Sequence, residues 1–294
     1  MTASTRPPVG VVGLGIMGSA VSPNLIAAGF PVIGYDLRPE ARAALEAAGG
    51  KAATSLAALA AEAPVLLCFL PTGDALDAVA GEFAASNAPP RTVIECSTLA
   101  LDDKEKARDT LEAAGHTLLD CPLSGTGAQA RNRDLVVLGS GDQAAFERCR
   151  PVFDGFARVV KYVGPFGNGM RMKLVANLLV AVHNCAAAEA LTLARKAGLD
   201  PKLVQETLRE GAGGSRMWDI RGPMMVERRY TPATMKIDVF QKDLSLMTAF
   251  AAELRCPAPL LDAAAKLYDE AEAAGLGAQD SAAVCAVLEK KAGL

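Results

Sequence analysis

The feature that most constrains the fold is a long apolar segment enclosed by glycines. Residues 168 to 197 contain no proline, with Gly164 and Gly167 in front of them and Gly198 behind. An uninterrupted run of this kind predicts one buried helix, which at about 1.5 Å per residue would be roughly 40 Å long. A single domain does not need a helix of that length, so we expect it to join two domains.

A helix of this length and apolarity could also cross a membrane. The segment, however, carries Lys173, Asn177, His183, Asn184 and Glu189. Because unsatisfied polar groups are costly in hydrocarbon, these residues indicate a buried helix of a protein core, and we expect no membrane partner.

Several polar side chains of this helix fall on one stripe. At 100° per residue, Asn177 lies about 40° from Lys173 and Asn184 about 20° from it, so the three would face the same direction. A catalytic cluster would look like this, but so would a lysine that reaches water above two structural asparagines. The stripe alone leaves both interpretations open.

Composition excludes several classes of partner. The formal net charge is −3, and acidic and basic residues are interspersed, so no basic face for nucleic acid is predicted. The two histidines show no ligand spacing, and we expect no metal site. Seven scattered cysteines without a CxxC pair, behind an N-terminus that lacks an apolar signal core, are typical of a reducing compartment, so we expect a cytoplasmic protein.

The N-terminal part begins with a strand, a glycine-rich turn and a helix. After the run Val9 to Val12 comes Gly13-Leu14-Gly15-Ile16-Met17-Gly18, which is the G-x-G-x-x-G pattern of dinucleotide-binding domains in its expected context. The first glycine permits the turn, the second lets the backbone approach a pyrophosphate, and the third lets the helix pack on the strand. All six residues are predicted to bind the cofactor at a helix N-terminus.

An acidic residue follows the next predicted strand, as this pattern requires. Asp36 comes after residues 31 to 35 and would accept hydrogen bonds from the adenosine ribose, which favours NAD over NADP. Arg38 could instead pair with a 2′-phosphate. We therefore predict NAD as the cofactor, with NADP not excluded.

Further strand-length runs follow at residues 64–70, 92–96 and 116–120, and parallel strands with crossover helices are predicted. Ligands bind beyond the carboxyl ends of such strands, where the loops 71–73 and 97–98 lie, although their hydroxyls could equally cap helices. After the third run, Ser124 and the glycine-rich residues that follow it offer side-chain and backbone donors that suit a carboxylate, although the segment could equally be a tight turn. Two more strands, at 134–139 and 158–163, complete a first domain.

After Gly198 the pattern is helical throughout, with predicted helices at 200–210, 215–225, 237–254, 259–274 and 281–291. The fold class is therefore an α/β Rossmann-type N-terminal domain with a parallel sheet, joined by a long inter-domain helix to an all-α C-terminal domain. We place the nucleotide-binding domain at 1–166 and the helical substrate and oligomerisation domain at 167–294.

The order of these motifs resembles that of the β-hydroxyacid dehydrogenases, the family of 3-hydroxyisobutyrate dehydrogenase. The resemblance covers nearly the whole chain and rests on four motifs, GLGIMG from Gly13, DCPLSG from Asp120, GPFGNGMRMKLVAN from Gly164, and Lys242-Asp243. It implies an oligomeric enzyme, a homodimer or homotetramer, that acts on a small hydroxyacid.

The resemblance also implies roles for individual residues. Lys173 corresponds to the catalytic lysine and Asn177 to the asparagine that orders substrate and lysine. The predicted substrate site further includes Ser124, Gly125, Thr126 and Lys242, and the predicted cofactor site includes Leu70, Pro71, Thr98 and Lys242. Many members have glycine where this chain has Thr126, which would alter the substrate pocket.

The chemistry agrees with these roles. Removal of hydride from an alcohol leaves a hydroxyl proton that a base must take, and burial beside another positive charge makes a lysine a better base at neutral pH. We predict an NAD-dependent enzyme that transfers hydride between nicotinamide and a small hydroxyacid or its semialdehyde. The alternatives are an NADPH-dependent reductase of small aldehyde acids of the tartronate or succinic semialdehyde type, an imine reductase, whose lysine is usually replaced, and a non-catalytic binding protein.

Overall fold

The computed structural model describes residues 6–294. The chain divides into two compact units, of which the first extends to Lys173 and the second covers Leu174–Leu294. The division falls inside the long helix rather than in front of it. The boundary between residues 166 and 167 stays a prediction.

The first unit is built on a six-stranded sheet in which every neighbouring pair of strands is parallel. The order is β3-β2-β1-β4-β5-β6, with β1 (Val9–Val12), β2 (Val32–Tyr35), β3 (Lys51–Ala52), β4 (Val65–Cys68), β5 (Thr92–Glu95) and β6 (Thr117–Asp120). The helices between the strands are α1 (Ile16–Ala27), α2 (Pro39–Ala47), α3 (Leu56–Glu62), α4 (Gly73–Ala84) and α5 (Leu101–Ala113). The predicted Rossmann-type parallel sheet is confirmed.

The last two predicted strands of this unit form a separate small sheet together with a third strand that the sequence does not predict. It consists of β7 (Leu123–Ser124), β8 (Val136–Gly139) and β9 (Val159–Tyr162), and α6 (Gly127–Arg131) and α7 (Gln143–Phe156) lie in the connections. Strand β7 is antiparallel to β8, and β8 is parallel to β9. An isolated bridge between Asp120 and Ser140 connects the end of β6 to the end of β8.

Strand β1 shows why the main sheet is covered on both faces. Val11 and Val12 are both buried, but neighbouring residues of a strand point to opposite faces, and the two valines belong to different apolar clusters. Val11 lies with Phe146 and Phe153, whereas Val12 lies with Phe83. The sequence of a strand that is buried on both faces is a nearly continuous run of apolar residues.

The long helix α8 (Asn168–Lys196) has 29 residues, which corresponds to about 43 Å. It follows Gly164 and Gly167, whose φ values are +111° and +88°, and ends before Gly198, whose φ is +76°. These are conformations that glycine adopts at little cost, so the glycines that enclose the segment mark both ends of the helix. By length and composition this helix is also able to span a bilayer, and 39% of its most apolar window is buried.

The second unit consists of the remainder of α8 and of further helices, as predicted. These are α9 (Pro201–Arg209), α10 (Arg216–Val226), α11 (Ile237–Glu253), α12 (Pro259–Ala273), a 3₁₀ turn (Ser281–Ala283) and α13 (Val284–Lys291). Trp218 is 2% exposed, and its indole N–H donates to the Gln205 carbonyl at 3.0 Å, so it anchors α10 to α9 as a core residue.

A buried ion pair between Arg221 and Asp280 connects α10 to the residue that precedes the 3₁₀ turn. Asp280 accepts hydrogen bonds from Arg221 Nε at 3.2 Å, from the Thr234 hydroxyl at 2.7 Å and from three backbone N–H groups, and both charged side chains are almost inaccessible. Burial by itself would raise the pKa of Asp280, but the Arg221 charge and the donors outweigh it and hold that pKa below its usual value.

Candidate active site

The glycine-rich turn between β1 and α1 has the geometry that a dinucleotide needs. Gly13 has a φ of +83°, and a Cβ there would lie 2.1 Å from the Phe69 carbonyl oxygen. A Cβ at Gly18 would lie 1.9 Å from the Gly13 oxygen, whereas one at Gly15 would meet nothing within 4 Å. Two glycines are therefore required by packing, and the middle one leaves open space beside the N-terminus of α1, where an anion is favoured.

The acidic residue after β2 is tied into this turn. Asp36 Oδ2 accepts the Leu14 N–H at 2.8 Å, and Oδ1 accepts the Arg38 backbone N–H at 2.9 Å and its Nε at 3.2 Å. Burial raises the pKa of Asp36, but the hydrogen bonds from Arg38 and Leu14 outweigh it and lower the pKa overall. Asp36, which favours NAD, and Arg38, which could instead favour NADP, thus form one ion pair at the predicted ribose position.

The strand-end loops after β4 and β5 are connected to each other. The Leu70 N–H donates to Ser97 Oγ at 2.7 Å, which brings the two loops together at the carboxyl edge of the sheet. Helix α5 has Ala100 as its N-cap, so the interpretation of Ser97 or Thr98 as a cap is wrong. Thr72, in contrast, does cap α4, because its hydroxyl accepts the Ala75 N–H at 3.2 Å.

The predicted substrate loop lies in the same unit. Ser124 pairs with Val136 in the small sheet, and Gly125 has a φ of +135°, with Leu135 Cδ2 only 2.6 Å from where a Cβ would be. Thr126 is the N-cap of α6 in a capping box with Gln129. The Thr126 hydroxyl that sequence places in the substrate pocket is therefore used to begin a helix.

This substrate loop contacts the glycine-rich turn. A Cβ at Gly127 would lie 2.5 Å from Ile16 Cγ2, and the Asn24 side chain donates to the Ala130 carbonyl at 2.7 Å. Helix α6 is thus held against α1. The structure brings together the predicted pyrophosphate loop and the predicted carboxylate loop, which lie more than 100 residues apart in the chain.

On α8, Lys173 and Asn177 lie one turn apart and are 9% and 5% exposed. Asn177 Nδ2 donates to Asp243 Oδ2 on α11 at 2.9 Å, and Lys242 Nζ lies 3.6 Å from Asp243 Oδ1. The sequence predicts a role for Lys242 and none for Asp243. The contact of Asp243 with Asn177 on α8 joins residues that are far apart in the chain, so the residues around Asp243 do not reveal it.

Asn184 does not share this environment. It is inaccessible, and its Nδ2 donates to the Tyr268 hydroxyl and to the Ser281 carbonyl, both at 2.8 Å. Of the two interpretations of the stripe, the structural one applies to Asn184, which connects α8 to α12 and to the 3₁₀ turn. Only Asn177 stays with the candidate site.

Two family models together match almost the whole chain. Residues 8–164 match the NAD binding domain of 6-phosphogluconate dehydrogenase, and residues 167–288 match the domain described as NAD-binding of NADP-dependent 3-hydroxyisobutyrate dehydrogenase. The chain belongs to the β-hydroxyacid dehydrogenase family. It is an NAD(P)-dependent dehydrogenase or reductase.

Individual relatives match nearly the whole of this β-hydroxyacid dehydrogenase. It is 34% identical to L-threonate dehydrogenase of Cupriavidus necator over 94% of each chain. A crystal structure of 3-hydroxyisobutyrate dehydrogenase from Salmonella typhimurium superposes with a TM-score of 0.85 at 33% identity, covering 96% of this chain and all of the other. The Mycobacterium tuberculosis 3-hydroxyisobutyrate dehydrogenase with L-serine gives a TM-score of 0.88 at 29% identity, covering 96% and 99%.

The residues of this β-hydroxyacid dehydrogenase fit a nicotinamide dinucleotide. Gly13 and Gly18 permit the tight packing of the turn, Gly15 leaves room for a pyrophosphate, and Asp36 lies at the end of the neighbouring strand. Across residues 6–294, His, Cys, Asp and Glu side chains form no group of three or more that could hold a metal ion.

Proposed function

We propose that this enzyme transfers hydride between NAD and a small hydroxyacid or the corresponding oxo acid or semialdehyde, with Lys173 as general acid and base. The observation that carries the proposal is a nearly inaccessible lysine one helical turn from a buried asparagine, on a helix of a β-hydroxyacid dehydrogenase.

A bound dinucleotide would supply the hydride acceptor or donor. Lys173 Nζ takes the hydroxyl proton of the acid when it is oxidised and returns a proton to that oxygen in the reverse direction. Asn177 carries no charge and transfers no proton; its amide holds the substrate oxygen and the lysine in line. The hydrogen bond to Asp243 fixes which end of that amide is available.

The carboxylate of the substrate is assigned to the loop at Ser124 and Gly125. The loop offers a hydroxyl and backbone N–H groups, and it contacts Ile16 of the dinucleotide turn through Gly127. A carboxylate held there would place a short acid near the cofactor. Lys242, with 43% of its side chain exposed, is assigned to the same substrate.

The substrate class follows from what the relatives' names share. L-Threonate, 3-hydroxyisobutyrate and L-serine are all small acids that carry a hydroxyl group. We propose a hydroxyacid of three to five carbons, and an NADPH-dependent reductase of small aldehyde acids is the second candidate. A screen of C3 to C5 hydroxyacids for NADH or NADPH formation decides between substrates.

The test of the mechanism is Lys173→Ala, with Lys196→Ala as the matched control, because Lys196 is an exposed lysine at the other end of the same helix. We expect kcat for Lys173→Ala to fall by about 10²- to 10⁴-fold while the dinucleotide still binds. The control should keep wild-type kcat. Unchanged turnover in Lys173→Ala would remove this lysine from the mechanism.

We also propose that the enzyme is a cytoplasmic homo-oligomer. Helix α8 exposes Val175, Leu179 and Leu193, which are 54%, 49% and 70% accessible. Beside them, an apolar groove of about 400 Å³ lies between α8, α11 and α12. An apolar surface of this kind is typical of subunit contacts. Sedimentation velocity measures the oligomeric state, and cell fractionation the compartment; a monomer or a membrane-bound enzyme would contradict the proposal.

A further inference from the structure

Helix α8 begins on a buried ionic cluster of the first unit. Lys104 Nζ lies 2.6 Å from Glu95 Oε2 and 2.7 Å from Asp120 Oδ1, and all three side chains are inaccessible. Burial alone would lower the pKa of Lys104, but the charges of Asp120 and Glu95 outweigh it and raise the pKa. The lysine therefore stays charged and holds both carboxylates in place.

The other oxygen of Asp120 reaches the first turn of α8. Oδ2 accepts the Met170 N–H at 2.8 Å and the Ser140 hydroxyl at 3.1 Å, and Ser140 Oγ in turn accepts the Gly169 N–H at 2.9 Å. The first N–H groups of a helix lack intrahelical partners, and a carboxylate there is also favoured by the helix dipole. The cluster thus provides the missing acceptors for two successive residues.

Backbone contact fixes the same turn from another side. A Cβ at Gly169 would lie 2.4 Å from the Leu138 carbonyl oxygen and 2.6 Å from the Asp120 carbonyl oxygen. The helix therefore touches the ends of β8 and β6 directly, and only glycine permits that approach. The first turn of α8 has little freedom to shift or to rotate.

Lys173 follows Gly169 by four residues, which places it one turn further and about 40° around the helix. Any displacement of the first turn is therefore passed on to the lysine. We propose that Asp120, held by Lys104 and Glu95 and joined to α8 through Ser140, is a positioning residue that sets the height and rotation of Lys173. This proposal rests on the proposed function of Lys173.

The decisive variant is Ser140→Ala, because it removes one hydroxyl from the anchor and leaves the buried charges paired. Asp120→Asn is a second variant that keeps the shape of the side chain and removes its charge. The matched control is Thr192→Val, which removes a buried hydroxyl from α8 itself, where it donates to the Ala188 carbonyl at 2.8 Å far from the anchor.

Three quantities are measured on the full-length enzyme: kcat and KM for the best hydroxyacid, the Kd for NAD, and hydrogen exchange at the Gly169 and Met170 amides without ligand. For Ser140→Ala we expect faster exchange at both amides and a kcat reduced by about tenfold to 10²-fold, since small misplacements of catalytic groups have effects of this size. The Kd for NAD and the values for Thr192→Val should stay within about twofold of wild type.

Each other outcome overturns a particular statement. Wild-type exchange in Ser140→Ala means that the hydroxyl does not anchor the helix. Faster exchange with wild-type kcat means that the anchor does not position Lys173, and an equal loss of kcat in Thr192→Val means general destabilisation. If the wild-type enzyme oxidises no hydroxyacid, the proposed function fails, while exchange at the two amides still tests the anchor.

Discussion

The hydrogen bond between Asn177 and Asp243 makes a sharp prediction about catalysis. An amide has two different ends, and Asn177 Nδ2 donates to Asp243 Oδ2 at 2.9 Å. Because a carboxylate can only accept, it directs the NH₂ end toward α11 and leaves the amide oxygen and the second N–H for the lysine and the substrate. Asp243→Asn removes that direction, since two amides can pair either way round.

The size of the effect can be worked from this contact. A hydrogen bond to a charged group contributes about 1.5–3 kcal/mol, and Asp243 is only 15% exposed, so little is lost to screening by water. At about 1.4 kcal/mol for each factor of ten, loss of the orientation corresponds to roughly a 10- to 150-fold lower kcat. The matched control is Gln241→Ala, which removes an exposed amide–carboxylate bond of 3.1 Å from the same helix to Asp269.

A double variant separates orientation from stability. Asn177→Asp combined with Asp243→Asn restores a hydrogen bond between α8 and α11 but reverses its polarity. If the bond only stabilises the unit and the Asn177 amide has no role of its own in catalysis, the double variant regains both melting temperature and kcat. If it orients the amide, the melting temperature returns and kcat stays low, because residue 177 then offers a carboxylate. Recovery of wild-type kcat, or wild-type kcat in Asp243→Asn alone, would refute the reasoning.

Two further predictions concern carboxylates with lowered pKa values. Replacing Asp36 with alanine releases Arg38 for a 2′-phosphate, so kcat/KM for NADP relative to NAD should rise about tenfold or more; an unchanged ratio would assign the cofactor choice to other residues. Asp280→Asn should lower the free energy of unfolding at pH 7 by about 3–5 kcal/mol, because it leaves a buried guanidinium unpaired. The folded-state pKa of Asp280 is lowered, so its contribution is present above about pH 4 and is lost as pH falls through that pKa; urea unfolding at pH 7 and pH 3 should show the difference between wild type and variant shrinking.

The fold could be predicted where elements are long or buried on a recognisable pattern. The bounds of α8 follow from Gly167 and Gly198, and β1 follows from an apolar run that both faces of the sheet bury. The short elements could not be predicted in this way. Strands β3 and β7 have two residues each, which is too few to show any period, and pairing with a distant strand is all that defines them.

The site shows the same division between local and distant determinants. Lys173 and Asn177 belong to one helix, so their spacing alone predicts their common face. Asn184 satisfies the same angular criterion but lies elsewhere, because its partners Tyr268 and Ser281 come from segments 84 and 97 residues away. A rule that uses only the angle around a helix cannot separate two asparagines whose difference lies in what packs against them.

Among the residues that the structure describes, Lys104 and Lys173 are both buried, and we propose different roles for them. Lys104 lies between two carboxylates, its pKa is raised, and it has no accessible surface, so it cannot take a proton from a substrate. Lys173 is almost as inaccessible, and Asn177 lies one turn along the same helix. Both lysines bear on the same helix, Lys104 through the acid that holds its first turn and Lys173 from the next turn. On the proposed function, Lys104 helps to fix the first turn of the helix and Lys173 reacts from the next turn, so Lys104 must stay charged for Lys173 to stay in place.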